Sequence, residues 1–313
     1  MRFISAQEIS SILNWQNAIQ ALHQAHMGER PSGDHYFVGD TRFGLFSRGV
    51  ILPGYGAGIK LASIYPQNLY REPPLPAEHA AFVVFDEKSK AVSALLDGPA
   101  ITRYKTAADS ALAAQLLSRE DSQVLLVAGA GPIAQSLTQA YLYIRPSIRE
   151  VILWNRTSAK LQPFCRALCD QGINATISTC IESSISRADI ITSATSAESP
   201  FIRGEWIRPG THVDLVGGYR QNMQEADEHL MQKARIFVDD MDSALQSGDL
   251  FIPLSRGDIS QQRIEDDLFS LCQRQVFNRS YQDITVFKNA GGAHQDLAIS
   301  QYVINHLPAH NSD

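Results

Sequence analysis

The stretch VLLVAGAGPIAQS, residues 124–136, constrains the fold more than any other part of the chain. An unbroken apolar run that ends at a glycine reads as a strand buried on both faces, the kind found in parallel sheets. Gly129 and Gly131 then permit a tight turn and a close approach of backbone to a ligand, and Ala134 stands where a helix must pack against the strand. Together they complete a G-x-G-x-x-G/A spacing. The helix that opens here presents free N–H groups and the positive end of its dipole to an anion. A glycine triplet alone is weak evidence, but its context is specific. Apolar and helical segments alternate onward through EVILWNR, a helix to Gln171, ATIS, a helix near Ile185, DIITSAT, HVDLVGG and RIFVDD. Such alternation predicts a doubly wound parallel sheet of the Rossmann type, with the pyrophosphate of a dinucleotide held over Gly129, Ala130, Gly131, Pro132, Ile133 and Ala134.

The strand EVILWNRT ends where NAD-binding proteins of this design carry an Asp or Glu for the ribose 2′-hydroxyl. This chain has Asn155, Arg156 and Thr157 there. A carboxylate repels a 2′-phosphate and a guanidinium pairs with it, so the expected cofactor is NADPH, with NADH as a possible substitute. Thr195, at the end of DIITSAT, completes the candidate cofactor set.

At 313 residues the chain exceeds the ~250–300 at which a single core stops growing, so two domains are expected. Ahead of the Rossmann pattern, residues 36–96 form short β-like runs, GLFSRGVIL, GAGIKLASIY, HAAFVVFDEKS and AVSALLD, which imply a mainly antiparallel sheet. Residues 3–30 read as one amphipathic helix on the spacing of Ile9, Ile12, Leu13, Ala18, Ile19, Leu22 and His23. A further helix, TRYKTAADSALAAQLLSRE, leads into the second domain, and the amphipathic tail Leu297–Leu307 is expected to return to the first. The expected architecture is α/β: a Rossmann domain over 119–293, and a second α+β domain over 1–118 and 294–313 for substrate binding and dimerisation.

Composition removes several classes of function. With 44% hydrophobic and 19% charged residues the chain is not disordered. The net charge of −6, with basic residues scattered, gives no footprint for nucleic acid. No stretch reaches the ~18 apolar residues of a membrane span, and Gln7 and Glu8 interrupt any apolar leader, so a cytoplasmic protein is expected. Cys165, Cys169, Cys180 and Cys272 lack zinc-ligand spacing, so no metal site is expected. Cys165 and Cys169 would share one helix face, read here as core packing between reduced thiols.

The blocks GIKLASIYP, LPAEHAAFVVFD, LLDGPAIT, KTAADSALAA, GAGPIAQ, WNRT, GEWIRPGTHVDLVGG, DDMDSAL, SGDL and TVFKNAGGAHQDLA resemble, in order and over about residues 50–300, the ornithine cyclodeaminase/mu-crystallin family. The resemblance implies a dimeric NAD(P)H-dependent oxidoreductase in which Lys60 is the catalytic lysine. An ammonium beside a 2-imino acid can hold its carboxylate or give a proton to the imine as hydride arrives. The family's carboxylate-clamping arginine, in a segment usually written RTAA, is replaced by Lys105, which keeps the charge but loses the bidentate fork unless Arg103 takes over. A third cation is implied, with Arg48 or Arg42 as candidates.

After HVDLVGG, ornithine cyclodeaminases carry an aspartate that handles the distal amine of the substrate, and this chain has Tyr219. The resemblance therefore points to the ketimine reductases. These reduce Δ1-pyrroline-2-carboxylate or Δ1-piperideine-2-carboxylate to L-proline or L-pipecolate. Ornithine cyclodeamination, reductive amination of a 2-keto acid as in alanine dehydrogenases, and non-catalytic binding of NADPH and a small ligand remain alternatives. His79 and Asp296 also fall in matched blocks, without an assigned role.

Overall fold

A computed structural model describes residues 1–40, 42–274 and 277–308. It divides into two compact units, Met1–Lys105 with Gly292–Asp313, and Thr106–Gly291; residues 309–313 of the expected first domain lie outside the described residues.

The first unit opens with strand β1 (Arg2–Ile4), and two helices follow where one was expected. Ser5 accepts from the Glu8 N–H while the Glu8 carboxylate accepts from the Ser5 N–H, a capping box that starts α1 (Ala6–Ile12). Leu13 then leaves helical geometry, and Asn14 and Asn17 form a second reciprocal cap that starts α2 (Trp15–His26). A new cap about two turns into an apolar repeat breaks the helix without breaking its periodicity.

Five strands come next: β2 (Ser32–Gly39), β3 (Gly44–Leu52), β4 (Gly56–Ile64), β5 (Glu78–Phe85) and β6 (Val92–Asp97). They form a six-stranded sheet in the order β1-β6-β5-β4-β3-β2, antiparallel except where β1 joins β6. Alternation along each strand sends Val50, Leu52, Ala62, Phe82 and Val84 inward. Helix α2 and the last helix of the chain, Ala293–His306, pack on one another, and the latter also lies on β3, β4 and β5. On the outward face Tyr36, Val38, Leu45, Ile51 and Leu61 stay exposed. Asp97 accepts from the Ala100 N–H and caps α3 (Gly98–Leu117), within which the boundary between the units falls.

The second unit is an eight-stranded, wholly parallel sheet. In chain order its elements are β7 (Val124–Ala128), α4 (Pro132–Ile144), β8 (Glu150–Trp154), α5 (Gln162–Asp170), β9 (Ala175–Ile177), α6 (Ile181–Ile185), β10 (Ile190–Ser193) and β11 (His212–Leu215). There follow α7 (Glu228–Lys233), β12 (Arg235–Val238), α8 (Met241–Leu245), α9 (Gly248–Arg256), β13 (Ile264–Asp267), α10 (Leu268–Arg274) and β14 (Thr285–Lys288), and α11 is the Ala293–His306 helix of the first unit. The strand order is β13-β12-β14-β11-β10-β7-β8-β9. The chain winds one way from β7 through β8 to β9 and the other way from β10, so the switch in direction lies between β7 and β10, where doubly wound sheets bind ligands at the carboxyl ends of their strands. The α/β expectation with a Rossmann sheet and a second α+β unit is met. Neither β13 nor β14 was read as a strand, and β14 inserts between β11 and β12.

Among the described residues no helix is long and apolar enough to cross a membrane, and no three His, Cys, Asp or Glu are placed to hold a metal ion. All four cysteines are free. Cys165 and Cys169 do share one face of α5, and both thiols donate to the Ala175 carbonyl, but Cys169 is exposed, so core packing accounts for Cys165 only in part and for Cys169 not at all.

Candidate active site

In the first unit the inward parity of β3 and β4 places Arg48 directly across from Lys60. Residues opposite one another in a sheet project to the same face, so these two cations share the face covered by α11. Lys60 Nζ donates to Thr102 Oγ1 on α3 at 2.6 Å and to Asp296 Oδ1 on α11 at 3.4 Å. One turn further along α3, Lys105 Nζ donates to Gln295 Oε1 at 3.0 Å and lies 3.8 Å from Asp296 Oδ2. Asp296 is 2% exposed and bridges two lysines that are themselves nearly buried, so the strong cost of burying a carboxylate is offset by this pairing and by its place in the first turn of α11. Lys60 and Lys105 meet at Asp296 and Arg48 stands across the strand pair from Lys60, so this face brings three cations together where an anion could be held. His294, one residue before Gln295, adds no further charge. Burial, followed by His26, Lys105 and Arg48, holds its imidazole well below its usual range and hence neutral.

The structure separates the two candidates for the third cation. Arg42 is exposed, with its Nε and Nη2 both bound to Asp40 Oδ2 in the turn after β2, and it takes no part in the cluster. Arg48 is the cation opposite Lys60. Arg103, proposed as a stand-in for the missing arginine fork, is exposed and lies away from the Thr102–Lys105 stripe of α3. His79 pairs with Ser63 on the outward face of the sheet, opposite to Lys60 in parity, whereas Asp296 stands at the centre of the cluster. Thr102, Gln295 and Asp296 carry no local signal of their own; Thr102 is marked only as the end of the LLDGPAIT block, and Gln295 and Asp296 only by TVFKNAGGAHQDLA.

In the second unit Gly129 follows β7 with φ +128°, a conformation that side chains rarely adopt, and a Cβ there would meet the Ala194 carbonyl oxygen at 2.7 Å. Gly131 caps α4 with extended backbone, with Pro132 at the first helical position. A Cβ on Gly131 would meet nothing within 4 Å, and no side chain caps the first turn of the helix. This is a cradle of free N–H groups with open space above it, the surroundings a pyrophosphate requires. Ala130, Ile133 and Ala134 complete the turn, with Ala134 buried against it. Asn155 follows β8 and donates to the Thr157 carbonyl, and Arg156 and Thr157 are exposed beside it.

Thr195, beyond β10, is held from below. Its N–H and hydroxyl both donate to Glu225 Oε1, at 2.8 and 2.6 Å, and Ser193 Oγ donates to the same oxygen at 2.5 Å. Asp249 on α9 accepts from the Glu225 N–H at 2.6 Å and from Lys288 at 3.0 Å, and Lys288, wholly buried, also donates to the Gly217 carbonyl. Burial, then the Asp249 carboxylate, pushes Glu225 from 4.5 up to about 7. A Cβ on Gly217 would run into the Glu225 carboxylate and one on Gly218 into that of Asp249, which is why the turn after β11 is built from two glycines. Tyr219 follows, exposed, with the Arg220 guanidinium 5.4 Å from its ring centre.

The profile of the ornithine cyclodeaminase/mu-crystallin family matches residues 46–311. The chain is similar to the Δ1-pyrroline-2-carboxylate reductase of Paracoccus denitrificans, with 38% identity over 306 residues and 96% of each chain covered. It is 32% identical to the mouse ketimine reductase mu-crystallin over 262 residues, covering 81% of this chain and 78% of the relative. Among solved structures, the Δ1-pyrroline-2-carboxylate reductase of Thermococcus litoralis, in complex with NADH and L-proline, shares the fold, with a TM-score of 0.91, 24% identity and 97% of each chain covered. With Lys60, Lys105, Asp296 and the glycine turn all in the blocks that carry the resemblance, the chain belongs to the ornithine cyclodeaminase/mu-crystallin family.

Proposed function

We propose that the chain reduces a cyclic 2-imino acid, Δ1-pyrroline-2-carboxylate or Δ1-piperideine-2-carboxylate, to L-proline or L-pipecolate. The observation that carries this reading is the buried Asp296 carboxylate held between Lys60 and Lys105, with Arg48 across the strand pair from Lys60, which brings three cations and an ammonium proton donor to one face. The Paracoccus relative, named for this reaction and aligned over 96% of both chains, supports the reading. The Gly129–Ala134 turn fits a dinucleotide, whose reduced nicotinamide supplies a hydride to the imine carbon when bound.

Arg48 and Lys105 hold the carboxylate of the substrate. Lys105 contributes charge without the planar fork of an arginine, so orientation depends more on Arg48. Lys60 gives its proton to the ring nitrogen and is recharged from solvent, a contribution of roughly 10²–10⁴-fold for a well-placed general acid. Tyr219 stands where ornithine cyclodeaminases have a carboxylate, and it offers no counter-charge to a second ammonium.

NADPH is the preferred cofactor in this reading, because Arg156 replaces the acidic residue that would repel a 2′-phosphate. The working protein is a cytoplasmic homodimer, joined through the exposed apolar face of the first unit's sheet; a face with Tyr36, Val38, Leu45, Ile51 and Leu61 uncovered is a liability for a lone protomer. The test is initial-rate NAD(P)H consumption with the two cyclic imines, alongside ammonia release from L-ornithine. Imine reduction without ornithine turnover is expected. Brisk release of ammonia from ornithine with neither imine reduced would overturn the assignment.

A further inference from the structure

A lysine ammonium has three N–H bonds, and two of those on Lys60 are taken by Thr102 Oγ1 at 2.6 Å and Asp296 Oδ1 at 3.4 Å. An ammonium can only donate, so Thr102 must meet Lys60 with its oxygen. The hydroxyl proton of Thr102 is already given to the Gly98 carbonyl, one helical turn back on α3, at 2.8 Å. Its oxygen therefore faces Lys60 only as an acceptor. Because Thr is branched at Cβ and this back-bond selects a single side-chain rotamer, the acceptor is fixed to the rigid axis of α3. Asp296 is fixed in turn by Lys105 on its other oxygen. Two anchors on two helices hold a side chain that would otherwise sample many rotamers.

We propose that Thr102 is a positioning residue: with Asp296 it takes up two of the three Lys60 protons and so aims the third at the ring nitrogen of the substrate. The inference rests on the reading that Lys60 is the proton donor. In that step the C=N double bond accepts a hydride at carbon from the reduced nicotinamide, which is oxidised. The nitrogen takes a proton from Lys60, and Lys60, left as a neutral amine, regains one from water. A proton donor misdirected by a fraction of an ångström loses rate without losing the ability to bind.

Thr102→Val keeps the shape and branching of the side chain and removes only the oxygen. Thr102→Ser keeps the oxygen and removes a methyl group. We expect Thr102→Val to lower kcat by about 10- to 100-fold while changing the KM for the imine less than about threefold, and to enlarge the solvent deuterium isotope effect on kcat as proton delivery becomes slow. Thr102→Ser should recover kcat to within about threefold. Thermal midpoint and cofactor binding, followed by nicotinamide fluorescence, should stay near wild type in both. An unchanged kcat and isotope effect in Thr102→Val, when Lys60→Met is inactive, would overturn the proposal. So would a Thr102→Ser variant as slow as Thr102→Val, since packing and not the oxygen would then matter. Full activity in Lys60→Met would instead remove the proton-donor reading, and the proposal with it.

Discussion

Replacing Glu225 by Gln should change how the stability of the protein depends on pH, by an amount that follows from its surroundings. In an unfolded chain this carboxyl ionises near 4.5; in the folded second unit burial and the Asp249 carboxylate push it up to about 7. Between those values the folded state keeps a proton that the unfolded chain has lost. The contribution of Glu225 to stability is therefore complete below about pH 4.5 and is lost as pH rises through 7. From 4.5 to about 7, at about 1.4 kcal/mol for each pH unit, the loss is roughly 3 kcal/mol, without discount for solvent because the residue is fully buried. Gln at this position is neutral throughout. Its Oε1 can still accept from Ser193 and Thr195, and its amide nitrogen replaces Oε2, which has no partner among the described residues. The fixed cost of that nitrogen does not vary with pH. At about 2–4 °C per kcal/mol for a unit of this size, the midpoint of Glu225→Gln relative to wild type should rise by roughly 6–12 °C between pH 4.5 and 8. Thermal melts of both proteins in matched buffers across that range read the difference directly. A difference that stays constant with pH would refute the reasoning and mean that Glu225 is ionised in the folded protein at every pH tested.

Two further outcomes are expected. Arg156→Asp should invert a wild-type preference for NADPH over NADH, read as the ratio of kcat/KM for the two cofactors; equal efficiencies in the wild type would remove the basis of the NADPH assignment. Light scattering at micromolar concentration should report a dimer for the wild type, and Leu61→Arg, which places a charge at the centre of the exposed face of the sheet, should shift it to monomer. A monodisperse wild-type monomer would count against the assembly.

What was legible in the sequence was what is local. The strand, glycine turn and helix of 124–136 are contiguous, and the alternation that follows needs only periodicity to be read. The break between α1 and α2 was also local: Ser5 with Glu8, and Asn14 with Asn17, are capping signatures that a reading of apolar spacing alone passes over. By contrast, IEDD of β13 has an acidic sequence, and the place of β14 between β11 and β12 is a property of the sheet, which its four residues do not carry. The candidate site divides along the same line. Lys60 and Lys105 could be read from their blocks, but choosing Arg48 over Arg42 needs the β3–β4 register, and setting His79 aside needs the parity of β5. Thr102 and Asp296 gain meaning only from contacts across 42 and 236 residues of chain.

The turn at Gly217 and Gly218 has a consequence for how such a protein can change over generations. Each glycine is pressed against a buried carboxylate, and the carboxylates depend on Lys288, which arrives from β14 at the end of the second unit. Loss of Lys288 leaves the Asp249 carboxylate buried without its ion-pair partner. Loss of Asp249 strands an ammonium, and any side chain at either glycine collides with an acid. None of these residues can drift alone. Five positions drawn from four distant segments behave as one heritable character, and a lineage that abandons the arrangement should be found to have replaced all of it.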